Sequence, residues 1–262
     1  MVYLEKNHPN ERDARIQFDE VPHIYYVDGK KMDISVTRWV HSHFPHFDAD
    51  KVIEKMMKSK KWSQSPYFGK TPEEIKKIWN DRGKEASEAG TKLHFDIECF
   101  YNKVPFQNDS VEYKQFEEFH KEVGDNMTPY RTEWTVFDED INISGSIDMV
   151  FETSDGNLLI YDWKRSKGIK KENRWESATT KCVDHLPSSN FWQYSLQLNT
   201  YKRILERKYG KTVSALFLVI FHPNQDSYNR IKVPILNQEM DDLIELRLQE
   251  IEKNKKQKDK RQ

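Results

Sequence analysis

The chain has 262 residues, 36% of them hydrophobic and 32% charged, which is enough apolar material for a substantial core and too much for a disordered polymer. Its 42 basic and 43 acidic residues leave a formal net charge of −1, so a bound polyanion would have to be met by local basic patches instead of a global positive field. No apolar run approaches 18 residues, and a start containing Glu5, Asn7 and His8 has no signal-peptide core, so the expectation is a soluble intracellular protein, cytoplasmic or nuclear.

In chain order, residues 16–27 read as a strand, Asp28-Gly29-Lys30 as a turn and residues 31–34 as a second strand. Ser35-Val36-Thr37 precedes a helical stretch, and helical spacing follows over residues 49–60. Thr71-Pro72-Glu73-Glu74 is a strong helix start, because it joins a capping box to a proline at the first helical position. Residues 85–101 and 110–123 read as further helices. Strands over residues 131–137, 143–152 and 158–164 form a central antiparallel ribbon, followed by a helix over residues 189–208. The continuous apolar run 213–221 suits a buried strand, residues 231–235 an edge strand and residues 238–253 a last helix. This order predicts an α/β fold, one domain over residues 1–254 with a central mixed sheet flanked by helices, an N-terminal hairpin and helical additions, then a charged, disordered tail over residues 255–262.

The chemistry concentrates on two of these strands. Asp162 and Lys164 are two apart and share a strand face, while Trp163 points away. If Ser154-Asp155-Gly156 is a three-residue hairpin loop with Gly156 left-handed, Thr153 faces Asn157 and Asp148 lies opposite Asp162. A two-residue loop would turn the two carboxylates to opposite faces. Paired carboxylates repel unless a cation lies between them, and carboxylate oxygens select hard ions, Mg²⁺ or Mn²⁺. A lysine beside them could steady the negative charge that develops on an attacked phosphate. On their own, an Asp and a Lys so placed more often form a solvated cross-strand salt bridge than a catalytic site.

Four motifs in order tie these strands to a known group. Gly90-Thr91-Lys92-Leu93-His94, Gly145-Ser146-Ile147-Asp148, Asp162-Trp163-Lys164 and Gln197-Leu198-Asn199-Thr200-Tyr201 together resemble the PD-(D/E)XK nuclease superfamily. Within it they resemble the RecB-like exonucleases, a family that includes the mitochondrial genome maintenance exonuclease and phage and viral enzymes; Ser35-Val36-Thr37 resembles the N-terminal entry of such proteins. The resemblance implies that Asp148 and Asp162 bind the metal, with His94 and the Trp163 carbonyl as further ligands, and that Lys164 is the catalytic lysine. It also implies that Gln197 and Tyr201, one helical turn apart, contact substrate or support the site. Glu98, one turn after His94, is a candidate supporting group, and Glu133 is a lesser candidate acid on a neighbouring strand. Arg165 and Lys167 open a basic run that continues through Lys170, Lys171 and Arg174, with Trp175, Phe191 and Trp192 interleaved, the composition a single-strand channel needs.

Cys99 and Cys182 are too few for an iron–sulfur cluster of four cysteines. Phe68-Gly69-Lys70-Thr71 lacks the earlier glycine of a phosphate loop, where Gln64 stands, so ATP is not expected. The expectation is a metal-dependent DNA nuclease, an exonuclease on single-stranded or end-exposed DNA, working with replication or recombination proteins and away from membranes. An RNA endonuclease of the cap-snatching kind and a non-catalytic DNA-binding protein of the same fold remain open alternatives.

Overall fold

The apolar alternation in the middle of the chain becomes the centre of a mixed sheet in the computed structural model, which describes residues 2–260. Strand β5 (Thr128–Asp138) pairs antiparallel along the whole of β6 (Ile143–Glu152). On its other side β6 has two successive neighbours. Its first residues run parallel to the short β4 (Ile34–Ser35), and its last four pair antiparallel with β7 (Leu158–Arg165). β7 then lies parallel to β8 (Val213–Phe221), which pairs antiparallel with β9 (Asn229–Val233).

A parallel pair needs a crossover, and α6 (Asn190–Lys208) supplies it between β7 and β8. This helix packs on one face of the sheet with α2 (Val36–Ser42) and α7 (Asn237–Asp259), around a core that includes Trp39, Trp134, Leu196 and Leu216. On the other face, α4 (Pro72–Tyr101) and α5 (Val111–Glu122) cover an aromatic core. There Phe116, Phe119, Tyr161, Trp163 and Phe221 are buried, with Phe119 and Trp163 edge to face at 5.5 Å, a geometry that suits the ring quadrupoles. The α/β class and the mixed sheet flanked by helices are as the sequence predicts.

Local chemistry accounts for the element starts. Thr71 Oγ1 accepts from the Glu74 amide and Glu74 Oε2 accepts from the Thr71 amide at 2.7 Å, the reciprocal box expected from the sequence. Ser35, first residue of the Ser-Val-Thr segment, caps α2 by accepting from the Arg38 amide.

Four boundaries differ from the expectation. The strand expected over residues 16–27 is a hairpin of β1 (Ile16–Asp19) and β2 (Ile24–Val27), broken by the turn holding Pro22 and the left-handed His23, φ 54°. The second strand expected over 31–34 divides between β3 (Lys30–Lys31) in that small sheet and β4 in the large one. The helix starts at Thr71 and Glu85 belong to one 30-residue helix, α4, which carries Gly83 and Gly90 within its length because burial of Leu93 and Ile97 outweighs their weak propensity. The tail expected to be disordered from residue 255 continues α7 as helix through Asp259, with Lys256 paired to Glu252 one turn back; Arg261 and Gln262 lie outside the described residues. Two shorter helices, α1 (Tyr3–Asn7) and α3 (Ala49–Met57), complete the N-terminal additions. Among the described residues, no helix is long and apolar enough to cross a membrane.

The loop joining β6 to β7 sets the register of everything described below. Thr153 N donates to Asn157 O at 2.9 Å, Gly156 N donates to Thr153 O at 2.9 Å, and Gly156 has φ 78°. This is the three-residue loop with a left-handed glycine that the sequence requires. A Cβ in that region costs roughly 1–2 kcal/mol, less for asparagine. Gly156→Ala is therefore expected to lower stability in urea denaturation by about 1 kcal/mol and Gly156→Asn by less, and equal stability of all three proteins would contradict the turn.

Candidate active site

The register Met149↔Tyr161 through Glu152↔Leu158 places Asp148 opposite Asp162, the next pair along. At that point the β6–β7 ladder ends and the strands part. The Trp163 amide, left without a ladder acceptor, donates to Asp148 Oδ2 at 2.9 Å. The Trp163 carbonyl accepts from His94 Nε2 at 2.8 Å, reaching across from α4. One residue's main chain thus holds both an acid and an imidazole, while its indole is locked in the aromatic core.

With Nε2 engaged, His94 presents Nδ1 to two carboxylates, 3.6 Å from Asp148 Oδ2 and 3.8 Å from Glu133 Oε1. One ligand atom from each of His94, Glu133 and Asp148 lies within 4.8 Å of the others. Glu133 is opposite Asp148 on the β5 side, between the pairs Thr132↔Met149 and Trp134↔Ile147. Its φ is 42°, a left-handed conformation in mid-strand, and Ser146 Oγ donates to its Oε2 at 3.0 Å. A non-glycine residue held this way costs about 1–3 kcal/mol and persists where the surroundings overdetermine it. The core-facing pattern of β6 also changes here. Ile143 and Ile147 pack with the α6 side, whereas Met149 and Phe151 pack under α4 and α5. Sequence ranked Glu133 low because strand periodicity does not register such an irregularity.

Asp162, only 2% exposed, turns toward Lys164, whose Nζ is 2.6 Å from its Oδ2 and 4.7 Å from the centre of the Tyr194 ring. Burial lifts the Asp162 carboxyl to about 6, the Lys164 charge opposing and the Asp148 charge adding to the shift. Asp148 is raised as well, burial again being the main cause, with His94 and Lys164 opposing. Lys164 keeps its proton tightly: burial acts to lower it, but Asp162 and Asp148 more than compensate. His94 behaves alike, burial opposing and the Asp148 and Glu133 carboxylates prevailing, so that the imidazole rises to about 9. Three acids and two cations therefore meet where two strands separate.

Gln197 and Tyr201 reach the same place from α6. The Gln197 side chain hydrogen-bonds the Tyr201 phenol, which burial raises well above its ordinary value, with Tyr25 and the Asp148 charge adding. Tyr201 packs against Gly145, where a Cβ would come within 2.9 Å of its hydroxyl oxygen and 3.1 Å of Val36 Cγ2. The glycine three residues before Asp148 is thus a space for the tyrosine four residues after Gln197. Glu98 faces Glu133 from α4 across a polar cavity of about 200 Å³ that Asn102 and Arg131 also line, and its carboxyl is raised to about 7 by burial and then by Glu133. Arg165 is not brought to Lys164. It lies on the opposite sheet face, 2.6 Å from Glu112, and with Lys167, Arg82 and His222 lines a separate cleft of about 760 Å³. Tyr194 is the contact that sequence reasoning missed; its position three residues before Gln197, on the same helix face, was the available signal.

His94 Nδ1, Glu133 and Asp148 form a mixed nitrogen and oxygen donor set that fits a hard divalent ion, with Asp162 opposite Asp148. Such an ion would polarise a phosphoryl oxygen and acidify a water. In this arrangement the Trp163 carbonyl is engaged by His94, so it orients the imidazole, as main-chain acceptors commonly do for a ligating histidine.

A model of the PD-(D/E)XK nuclease superfamily matches residues 40–260 of the chain. No curated protein matches it. Among solved structures it is similar to a protein of Eubacterium rectale described as a candidate exonuclease, at 10% identity and a TM-score of 0.39, over 63% of this chain and 65% of that one. The chain thus spans just under two thirds of that protein's length. It is also similar to SSO0001, at 13% identity and a TM-score of 0.29, over 81% of this chain and 75% of that one.

Two outcomes follow from the geometry. Gly145→Ala must displace Tyr201 or Val36 and is expected to cost about 1–3 kcal/mol in urea denaturation, with no loss if the helix can simply move away. The His94 proton competes with a metal. Because the imidazole of the metal-free protein is raised to about 9, it gives up a proton when it ligates an ion, and Mn²⁺ affinity measured by calorimetry should rise about tenfold per pH unit between pH 7 and 8. A flat profile would mean that the imidazole is already neutral.

Proposed function

The chain belongs to the PD-(D/E)XK nuclease superfamily; from that premise we propose that it is a nuclease, a Mg²⁺- or Mn²⁺-dependent deoxyribonuclease of RecB-like type, and an exonuclease on single-stranded or end-exposed DNA. The observation that carries the reading is the meeting of Asp148, Asp162, Lys164, His94 and Glu133 where β6 and β7 part.

The residues divide the work. His94, Glu133 and Asp148 hold the ion, while Asp162, paired to Lys164, keeps an ammonium fixed and charged at neutral pH beside them. That ammonium stabilises negative charge as water attacks phosphorus in line, and it is positioned before the reaction begins, so little reorganisation is needed. Tyr194 covers Lys164 and limits its hydration. Tyr201, seated against Gly145, holds the start of β6 against α6 and so keeps Asp148 in place. The cellular setting that suits this activity is intracellular DNA replication, repair or recombination, and an enzyme encoded by a virus or phage fits the same reading.

The test uses end-labelled single-stranded DNA, duplex DNA and RNA, incubated with the protein and Mg²⁺ or Mn²⁺, beside Lys164→Ala. Shortening of DNA from one end is expected, with kcat about 10²–10³ lower in the variant and the circular dichroism unchanged. Cleavage of RNA alone would favour the endonuclease alternative. Undiminished cleavage by Lys164→Ala would remove the site assignment, and cleavage of no substrate would leave a binding protein of nuclease fold.

A further inference from the structure

All seven tryptophans lie among the described residues, and Trp175 alone is exposed, at 90%. Its backbone is nevertheless held. Asn173 Oδ1 accepts from the Trp175 and Glu176 amides, and Asn173 Nδ2 donates to Ser188 O at 2.7 Å. The following residues form a small hairpin, with Ser188 N donating to Glu176 O at 2.8 Å and Ala178 N to Leu186 O at 2.9 Å. The preceding ones are pinned to the start of α6, where Asn190 Oδ1 accepts from Lys170 N at 2.8 Å and Trp192 Nε1 donates to Lys171 O at 3.1 Å. A large apolar ring is thus presented to solvent by a braced loop.

The surroundings of that ring are cationic. From Lys164 through Trp175 the chain has six basic residues, Lys164 included, and one acidic residue, Glu172, in a protein whose net charge is −1. Trp175 lines a cleft of about 580 Å³ together with Lys170, Arg174, Glu172 and Asn190, so cations outnumber acids there two to one. Asn190 is one helical turn before Tyr194, the residue that covers Lys164, so α6 leads from this cleft to the candidate active site. An exposed ring beside ammonium and guanidinium groups, continuous with a phosphodiester-cleaving centre, matches a base with its backbone phosphates. It does not match an apolar protein surface, which would desolvate Lys170 and the exposed Arg174–Glu172 pair.

We infer that Trp175, with Lys170 and Arg174, forms a subsite where an unpaired nucleotide stacks its base on the indole and sets its phosphates against the two cations. This rests on the nuclease reading and deepens it. A base in a duplex has both faces covered by its neighbours, so the subsite selects single strands and frayed ends. It contributes binding away from the scissile bond, and its sequence preference is weak because every base has a stacking face.

The test measures binding without cleavage. Fluorescence anisotropy of a labelled oligodeoxythymidylate and of a blunt duplex is read with the Lys164→Ala protein and with the same protein carrying Trp175→Ala or Trp175→Phe. Trp175→Ala should weaken single-strand binding about tenfold and leave duplex binding unchanged, whereas Trp175→Phe should stay near its parent. Tryptophan emission should be quenched on binding the single strand, and most of that quenching should vanish in Trp175→Phe. Unchanged single-strand affinity in Trp175→Ala, or an equal loss on duplex, overturns the subsite while the nuclease reading stands. Failure of the parent to bind any strand overturns both.

Discussion

The parting of β6 from β7 beyond the Met149–Tyr161 pair is the constraint on which the rest of the site depends. In a continuous ladder the main-chain groups of Trp163 would satisfy a neighbouring strand. Here they satisfy side chains, its N–H binding Asp148 and its carbonyl receiving His94. The indole of Trp163, buried among Phe116, Phe119 and Tyr161, prevents this residue from moving. The aromatic core under α4 and α5 therefore shapes the candidate site as well as stabilising the fold. It fixes the peptide groups that orient two functional side chains, and it binds α4, which carries the imidazole, to the sheet that carries the acids.

The electrostatic consequence is a group of like charges that the free protein only partly balances. Glu133, Asp148 and Asp162 come from three adjacent strands, and Lys164 and a protonated His94 oppose them. Burial raises both aspartates, so the arrangement is costly without a cation and favourable with one. The left-handed backbone of Glu133 adds strain at the same place. Natural proteins retain such local costs where function requires them, and the long pairing of β5 with β6 on both sides of Glu133 supplies the compensation.

Charge outside the site follows the same economy. With a net charge of −1 the protein has no global attraction for nucleic acid, and one local basic run lies in the segment that leaves β7 and reaches α6. Strand alternation divides even this run. Lys164 enters the candidate site, while Arg165 crosses the sheet to Glu112 and joins the cleft of Arg82 and His222.

What sequence could determine was local. Period-two alternation located β6 and β7, Gly156 dictated a three-residue turn, and the parity of those strands then placed Asp148 against Asp162 and Lys164 beside it. Thr71 and Glu74 announced the start of α4 for the same reason, since capping is decided within one turn. The spacing of Gln197 and Tyr201 showed a shared face, although only packing revealed that Gly145 makes room for the tyrosine. Continuity of α4 through Gly83, the break at Pro22 and the helical residues beyond 255 depended on context that propensity does not contain. Glu133 entered the site through a strand irregularity, Tyr194 through the docking of α6, and Arg165 left it by strand alternation. Sequence by itself determined the order of the elements and the one hairpin register, because those interactions span few residues. The convergence of β5, α4 and α6 on that hairpin was decided only by the tertiary structure, because it depends on which buried faces pack together across long separations of chain.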